Sequence, residues 1–247
     1  MRRKMRIPLA LEQFVQSIAP RKARRMNYLA HMVVGTFAGL DAEGMLGNFV
    51  GDAVKGRHVE AQWGPSIARG IRLHRALDEA SDRHAASQEA RRVLRPWCGK
   101  WSGVVWDVLA DHVLADGFDQ LTPQLGTLEN FANQQTNALR NQQEAMPLRS
   151  QRFFEAMVRH GWLVGYANPV VVDQVLHAMS QRRTMAFPVS KGWDAFEAHQ
   201  DLLKSCARDL VKDMIQWGQT RVNPCLSGGE ERQPAENDLS LKSQPVG

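Results

Sequence analysis

Several stretches of this 247-residue chain put ionisable side chains where apolar ones belong. Ile67, Ile71, His74, Leu77 and Asp78 recur at steps of three and four, so on a helix His74 and Asp78 are neighbours on one apolar stripe, and Asp82 continues the row. At about 100° per residue, the segment from Ser102 to Gly117 carries an apolar arc through Val104, Val105, Val108 and Ala115. Asp111 and His112 fall inside that arc and Asp107 at its edge. Asp52 follows Met45 by two turns and lies beside Phe49 and Ala53, while His31 follows Asn27 by one turn among apolar residues. A carboxylate or imidazole aimed at a core needs a partner, and a metal ion is a common one. A mixture of His and Asp without Cys suits a hard or borderline divalent ion such as Mn²⁺ or Mg²⁺, with Zn²⁺ or Fe²⁺ as alternatives.

Each residue also has a plain structural reading. A lone core histidine such as His31 is commonly satisfied by its neighbours, and Asp52 can pair with Lys55 or Arg57. Asp82 and Asp107 are the natural candidates for solvated or ion-paired groups. His58, His84, His160, His177 and His199 are read as surface or core residues without function. The spacing of His74 with Asp78 and the Asp111-His112 pair favour a shared ion, because one helix face supplying two ligands is a recurring metal-site device.

The elements that must position these groups are helical throughout. Apolar periodicity predicts helices at about 27–38, 43–55, 65–94, 101–116, 124–145, 150–166, 169–182 and 190–217. Thr122-Pro123, Asn168-Pro169 and Ser190 are cap-like starts, and Pro96, Pro147 and Pro188 are expected stops. Trp193, Phe196, Leu203, Leu210, Met214 and Trp217 form one buried face of the last helix. Residues 218–247 are polar with scattered proline and read as a disordered tail. An all-α, single-domain, multi-helix bundle is the expectation, its domain spanning residues 26–217.

Composition agrees. Hydrophobic residues are 43 % and charged ones 23 %, which is globular. The net charge is +5, but residues 1–25 hold eight basic side chains against Glu12 alone, and removing that +7 leaves residues 26–247 at −2. A basic body that binds nucleic acid non-specifically is disfavoured. Cys98, Cys206 and Cys225 are scattered and odd in number, as expected of thiols in a reducing compartment. The longest uncharged apolar stretch, Met26 to Leu40, is shorter than the roughly 20 residues a bilayer needs. Glu12, Gln13 and Gln16 interrupt the would-be signal core, and a cytoplasmic location is expected.

Together these motifs carry a resemblance. Met-Asn-Tyr-Leu-Ala-His (26–31), Gly-Asn-Phe-Val-Gly-Asp-Ala-Val-Lys-Gly (47–56), Gly-Ile-Arg-Leu-His-Arg-Ala-Leu-Asp followed by Ser-Asp (70–82) and Trp-Asp-Val-Leu-Ala-Asp-His (106–112) resemble the acyl carrier protein phosphodiesterases. That family looks like an unconventional branch of the HD-type metal-dependent phosphohydrolases. Trp162-Leu-Val-Gly-Tyr166 and the run from Val175 to Arg183 are similar too, so the likeness spans about Met26 to Trp217 in order. It implies an HD-like bundle with a metal site in the helix core, and removal of the 4′-phosphopantetheine arm from holo acyl carrier protein. One departure from ordinary HD enzymes is shared by the branch, the dipeptide running Asp-His rather than His-Asp; another is local, Ala110 standing where an aromatic residue is expected in the pocket wall. Met26 is the expected start of the family domain, with residues 1–25 a basic extension or not translated.

The resemblance carries over His31, Asp52, His74, Asp78, Asp107, Asp111 and His112. His31, Asp52, His74, Asp111 and His112 are the expected ligands, Mn²⁺ the first choice of ion, and Asp78 or Asp107 would orient the attacking water or take its proton. Lys55, Arg57 and Arg75 flank the motifs and would clamp phosphate. Arg182-Arg183 and the Lys55-Gly-Arg57 turn would meet the acidic carrier protein. Two other classes stay open: an HD-like phosphohydrolase of a small nucleotide, and a non-enzymatic helical module whose basic first 25 residues bind nucleic acid or an anionic membrane.

Overall fold

The computed structural model describes residues 28–180 and 189–221. Expectations for residues 1–27, for Arg182, Arg183 and Pro188, and for the tail from residue 222 onward lie outside the described residues. Among those described there is no strand, and the chain folds as the all-α bundle its periodicity predicts. No helix among them is long and apolar enough to cross a membrane.

The helices are α1 (Tyr28–Phe37), α2 (Ala42–Val50), α3 (Pro65–Arg83), α4 (Ala85–Cys98), α5 (Ser102–Asp116), α6 (Phe118–Leu121), α7 (Leu128–Arg140), α8 (Leu148–Arg159), α9 (Trp162–Gly165), α10 (Pro169–Ser180), α11 (Gly192–Ala198) and α12 (Gln200–Gln219), with short 3₁₀ turns between some of them. The central element is α5. It is buried on nearly every face, because α1, α4, α10, α11 and α12 all pack around it. Helix α12 packs on it and buries Leu203, Leu210 and Met214, and Trp193 and Phe196 of the same predicted stripe are buried on α11.

Several predicted helices are divided. The stretch 65–94 breaks at His84, whose extended backbone (ψ 136°) ends α3 and whose Nδ1 accepts the Ala86 N–H to start α4. The stretch 150–166 breaks at Gly161, where φ is +58°, and 190–217 breaks at His199. The stretch 124–145 becomes a 3₁₀ turn at Pro123–Leu125, α7 and a further 3₁₀ turn at Gln143–Ala145, separated in part by Gly126 at φ +73°. Pro96 is no stop. It sits in the last turn of α4, where a missing N–H costs one hydrogen bond, and the helix ends two residues later at Cys98, capped by Gly99 with φ +55°.

The packing that matters for the site is the crossing of α2 on α3. A Cβ at Gly70 would lie 1.8 Å from the Gly44 carbonyl oxygen, and one at Gly47 would lie 1.9 Å from that of Ile67. The two backbones therefore touch directly, which no larger residue at those positions permits.

Candidate metal centre

On α3, His74 and Asp78 lie one turn apart, with His74 Nε2 3.7 Å from Asp78 Oδ2. From α1, His31 lays its ring against that of His74, centroids 4.2 Å apart, and its Nε2 lies 3.2 Å from Asp78 Oδ1. The turn that follows α2 brings in Asp52, whose Oδ1 is 3.8 Å from His74 Nε2. Helix α2 ends at Val50, earlier than predicted, so Asp52 stands in a turn rather than on a helix face. Gly51 makes this possible: a Cβ there would lie 2.5 Å from His74 Cγ.

The turn is tied down from α3. Arg75 donates from Nη1 to the Gly56 carbonyl at 2.7 Å and from Nη2 to that of Val54 at 2.9 Å. These bonds give Arg75 a positioning task and hold the exposed Lys55 and Arg57 beside Asp52 in the chain.

Among the described residues, ligand atoms of His31, His74 and Asp78 all lie within 4.8 Å of one another. Their hydrogen bonding fits a cation. Asn48 donates from Nδ2 to the His31 carbonyl at 2.7 Å, which turns its Oδ1 toward His31 Nδ1 at 3.3 Å. An amide oxygen accepts, so Nδ1 carries the proton of the neutral ring and the Nε2 lone pair faces Asp78. Burial, then the neighbouring His74, pull the His31 pKa below its ordinary value, although Asp78 and Asn48 oppose them. Two lone pairs thus meet at 3.2 Å, and both ring nitrogens of the buried His74 are without a hydrogen-bond partner. A divalent ion would take the facing lone pairs of His31 and Asp78 together with one ring nitrogen of His74.

The remaining expected residues lie elsewhere. Asp111 is fully buried and its two oxygens accept the N–H groups of Leu29 and Ala30, each at 3.0 Å, so it serves the open N-terminus of α1. Burial pushes its carboxyl up to about 7, against the pull of those two N–H groups. His112 donates from Nδ1 to the Tyr166 carbonyl at 2.7 Å and packs edge-on against Trp193 and Phe196; burial lowers its pKa. Asp107 lines a neighbouring cleft with Asp82 and Ala110 rather than joining His31, His74 and Asp78. Sequence reasoning passed over Asn48 and Gly51. The signal for the first was an amide inside the apolar run Met45 to Val50; for the second, only the helix crossing explains it.

A family profile described as acyl carrier protein phosphodiesterase matches residues 26–214, most of the chain. The chain belongs to the acyl carrier protein phosphodiesterase family. Relatives of that name include one from Yersinia pestis, 29 % identical over 194 residues that cover 78 % of this chain and 98 % of the relative. Those from Photorhabdus laumondii and Pectobacterium atrosepticum are 28 % and 29 % identical, covering 81 % and 79 % of this chain and 99 % of each relative. No solved structure matches the chain. All four residues of the constellation described above, together with Asn48 and Gly51, fall within the segment that the family profile matches.

Proposed function

We propose that this member of the acyl carrier protein phosphodiesterase family hydrolyses the phosphodiester that joins 4′-phosphopantetheine to a serine of holo acyl carrier protein, releasing the apo form. The observation that carries this reading is His74: a buried imidazole with two unpartnered nitrogens, flanked by Asp52 and Asp78 and stacked on His31, is a poor core residue and a good ligand. His31, His74 and Asp78 would hold the ion, for which Mn²⁺ is our choice on the mixed nitrogen and oxygen donors. Such an ion, when bound, lowers the pKa of a coordinated water toward neutrality and offsets charge on phosphoryl oxygens.

The chain's own groups do the rest. Asn48 keeps His31 in the tautomer that can ligate. Asp52 is the more open carboxylate, with 28 % of its side chain exposed against 21 % for Asp78, and it orients the attacking water and takes its proton. Lys55 and Arg57, exposed on the same turn, neutralise the phosphate and meet the acidic carrier protein. Water oxygen bonds to phosphorus, the bond from phosphorus to the serine oxygen breaks, and the proton lost by water ends on that oxygen. We assign this chemistry to residues 26–217 and to the cytoplasm, where the carrier protein substrate would be met.

The test is incubation of the full chain with Mn²⁺ and holo carrier protein, followed by mass spectrometry. The carrier is expected to lose one phosphopantetheine group. An intact carrier, with the metal demonstrably bound, would overturn the reading, and cleavage of a small nucleotide by the same preparation would replace it.

A further inference from the structure

Surface arginines on the helices beside the metal centre differ in how their charge is met. On α3 and α4, Arg72 pairs with Glu60, Arg83 with Glu79 and Arg92 with Glu89. On α8, Arg149, Arg152 and Arg159 are exposed, and among the described residues none of the three pairs with a carboxylate. The acidic residue of that helix, Glu155, accepts the side-chain amide of Gln143 at 2.9 Å. Residues 26–247 sum to −2, so the positive charge of α8 is a local concentration and not a property of the whole body.

At about 100° per residue, Leu148, Arg152 and Arg159 fall within about 40° of one another, opposite the buried Ser150, Phe154 and Met157. Leu148 is 64 % exposed, more than any other large hydrophobic residue described. A single solvated arginine on a surface is ordinary, but arginines in a row with an exposed leucine have the composition of a protein interface. Arg152 and Arg159 are seven residues apart, about 10 Å along the axis at 1.5 Å per residue. Carboxylates two turns apart on a partner helix have the same spacing.

The strip adjoins the metal centre through Phe153. That ring lies 4.5 Å from the ring of Tyr28 and 5.9 Å from that of Phe49, centroid to centroid. Three residues after Tyr28 comes His31, and three after Phe49 comes Asp52. The bond to be broken joins the arm to the carrier's serine itself, so the surface around that serine must come up to the ion, where α8 is among the elements that flank it.

We infer that α8 is a docking strip for the acidic surface around the modified serine of the carrier protein, with Arg149, Arg152 and Arg159 facing its carboxylates and Leu148 packed between them. The inference rests on the proposed function for the identity of the partner. Lys55 and Arg57 then serve the phosphate end of the same contact, and α8 holds the protein behind it.

The test separates docking from chemistry by using apo carrier protein, which has no arm to cleave, in titration calorimetry with the Mn²⁺-loaded full chain. Wild type is expected to bind it, and the double variant Arg152→Glu with Arg159→Glu to bind at least about tenfold more weakly with Mn²⁺ affinity unchanged. With holo carrier the double variant is expected to raise KM by a similar factor while kcat moves less than about twofold, and to lose the wild type's rise of KM with added salt. Arg92→Glu on α4 reverses an exposed charge elsewhere and is expected to leave KM within about twofold. No binding of apo carrier by wild type, equal affinity in the double variant, or an equal loss in Arg92→Glu overturns the inference. So does binding to vesicles rich in phosphatidylserine through the same arginines without binding to the carrier. Should the double variant fail to fold, Leu148→Ser and Arg149→Glu are read by the same criteria. Apo carrier that binds through α8 while holo carrier stays intact sinks the proposed function and spares the strip; cleavage with an unchanged KM in the double variant does the reverse.

Discussion

Asn48 grips His31 twice, donating from Nδ2 to its backbone carbonyl at 2.7 Å and facing its Nδ1 with Oδ1 at 3.3 Å. One amide thereby sets both the position of α1 and the tautomer of the ring, and the second of these effects reaches the candidate ion. Groups that orient a ligating imidazole commonly contribute about 10–100-fold to metal affinity.

Asn48→Leu is therefore expected to weaken Mn²⁺ binding by about 10–100-fold and to cost about 1–3 kcal/mol of stability through the buried carbonyl and N–H it leaves unmade. Titration calorimetry and urea melts measure the two. Unchanged metal affinity in a destabilised variant would reduce Asn48 to a packing role.

His74→Leu separates the metal from the fold. The metal-free wild type buries two unpartnered ring nitrogens, and each such group costs on the order of 1–3 kcal/mol. The metal-free variant should melt at the same temperature as wild type or higher. Wild type at a hundredfold excess of Mn²⁺ over its Kd gains about 2.7 kcal/mol, and the variant should gain nothing. A metal-induced rise in melting temperature that survives His74→Leu would remove His74 from the site.

Asp111 gives a pH signature. Its carboxyl is raised by burial to about 7 in the folded protein, well above its ordinary value of 3.8. Between those values the folded state holds a proton that the unfolded chain has released, so this group's contribution to stability falls as pH rises from about 4 to about 7. Asp111→Asn removes the titration. The difference in unfolding free energy between wild type and variant, taken from chelator-treated urea melts, should shift against wild type from pH 4.5 to pH 7.5. A difference independent of pH would contradict the raised carboxyl.

The glycines of the α2–α3 crossing divide into two kinds. Gly70→Ala drives a Cβ to 1.8 Å from the Gly44 carbonyl oxygen, backbone against backbone, and should cost about 3 kcal/mol or more or prevent folding. Gly51→Ala meets the His74 side chain, Cγ at 2.5 Å and Cβ at 2.7 Å, so the imidazole and its root must shift together, a lesser overlap than backbone on backbone. Its stability loss should be smaller, while Mn²⁺ affinity falls by about tenfold or more as His74 leaves its place between Asp52 and Asp78. Thermal melts and metal titrations on the two variants check the ordering.

What the sequence determined by itself was everything carried by local geometry. Helical period made the fold class readable, and the four-residue step from His74 to Asp78 put both on one face before any neighbour was known. A helix has the same pitch wherever it is placed. Asp111 and His112 show where such reasoning stops. Their helix, α5, is enclosed on nearly all sides, so being inside an apolar arc says that a residue is buried but not what it meets: Asp111 faces the N–H groups of α1 and His112 the carbonyl of Tyr166. Which ionisable groups converge was decided only by the tertiary structure. The close approach at Gly44, Gly47, Gly51 and Gly70 brings α2 and its turn onto α3, and α1 then lays His31 over His74. Contacts between residues that are dozens of positions apart depend on crossing angles and on the absence of a Cβ, and neither has a period that a single strand of sequence can display.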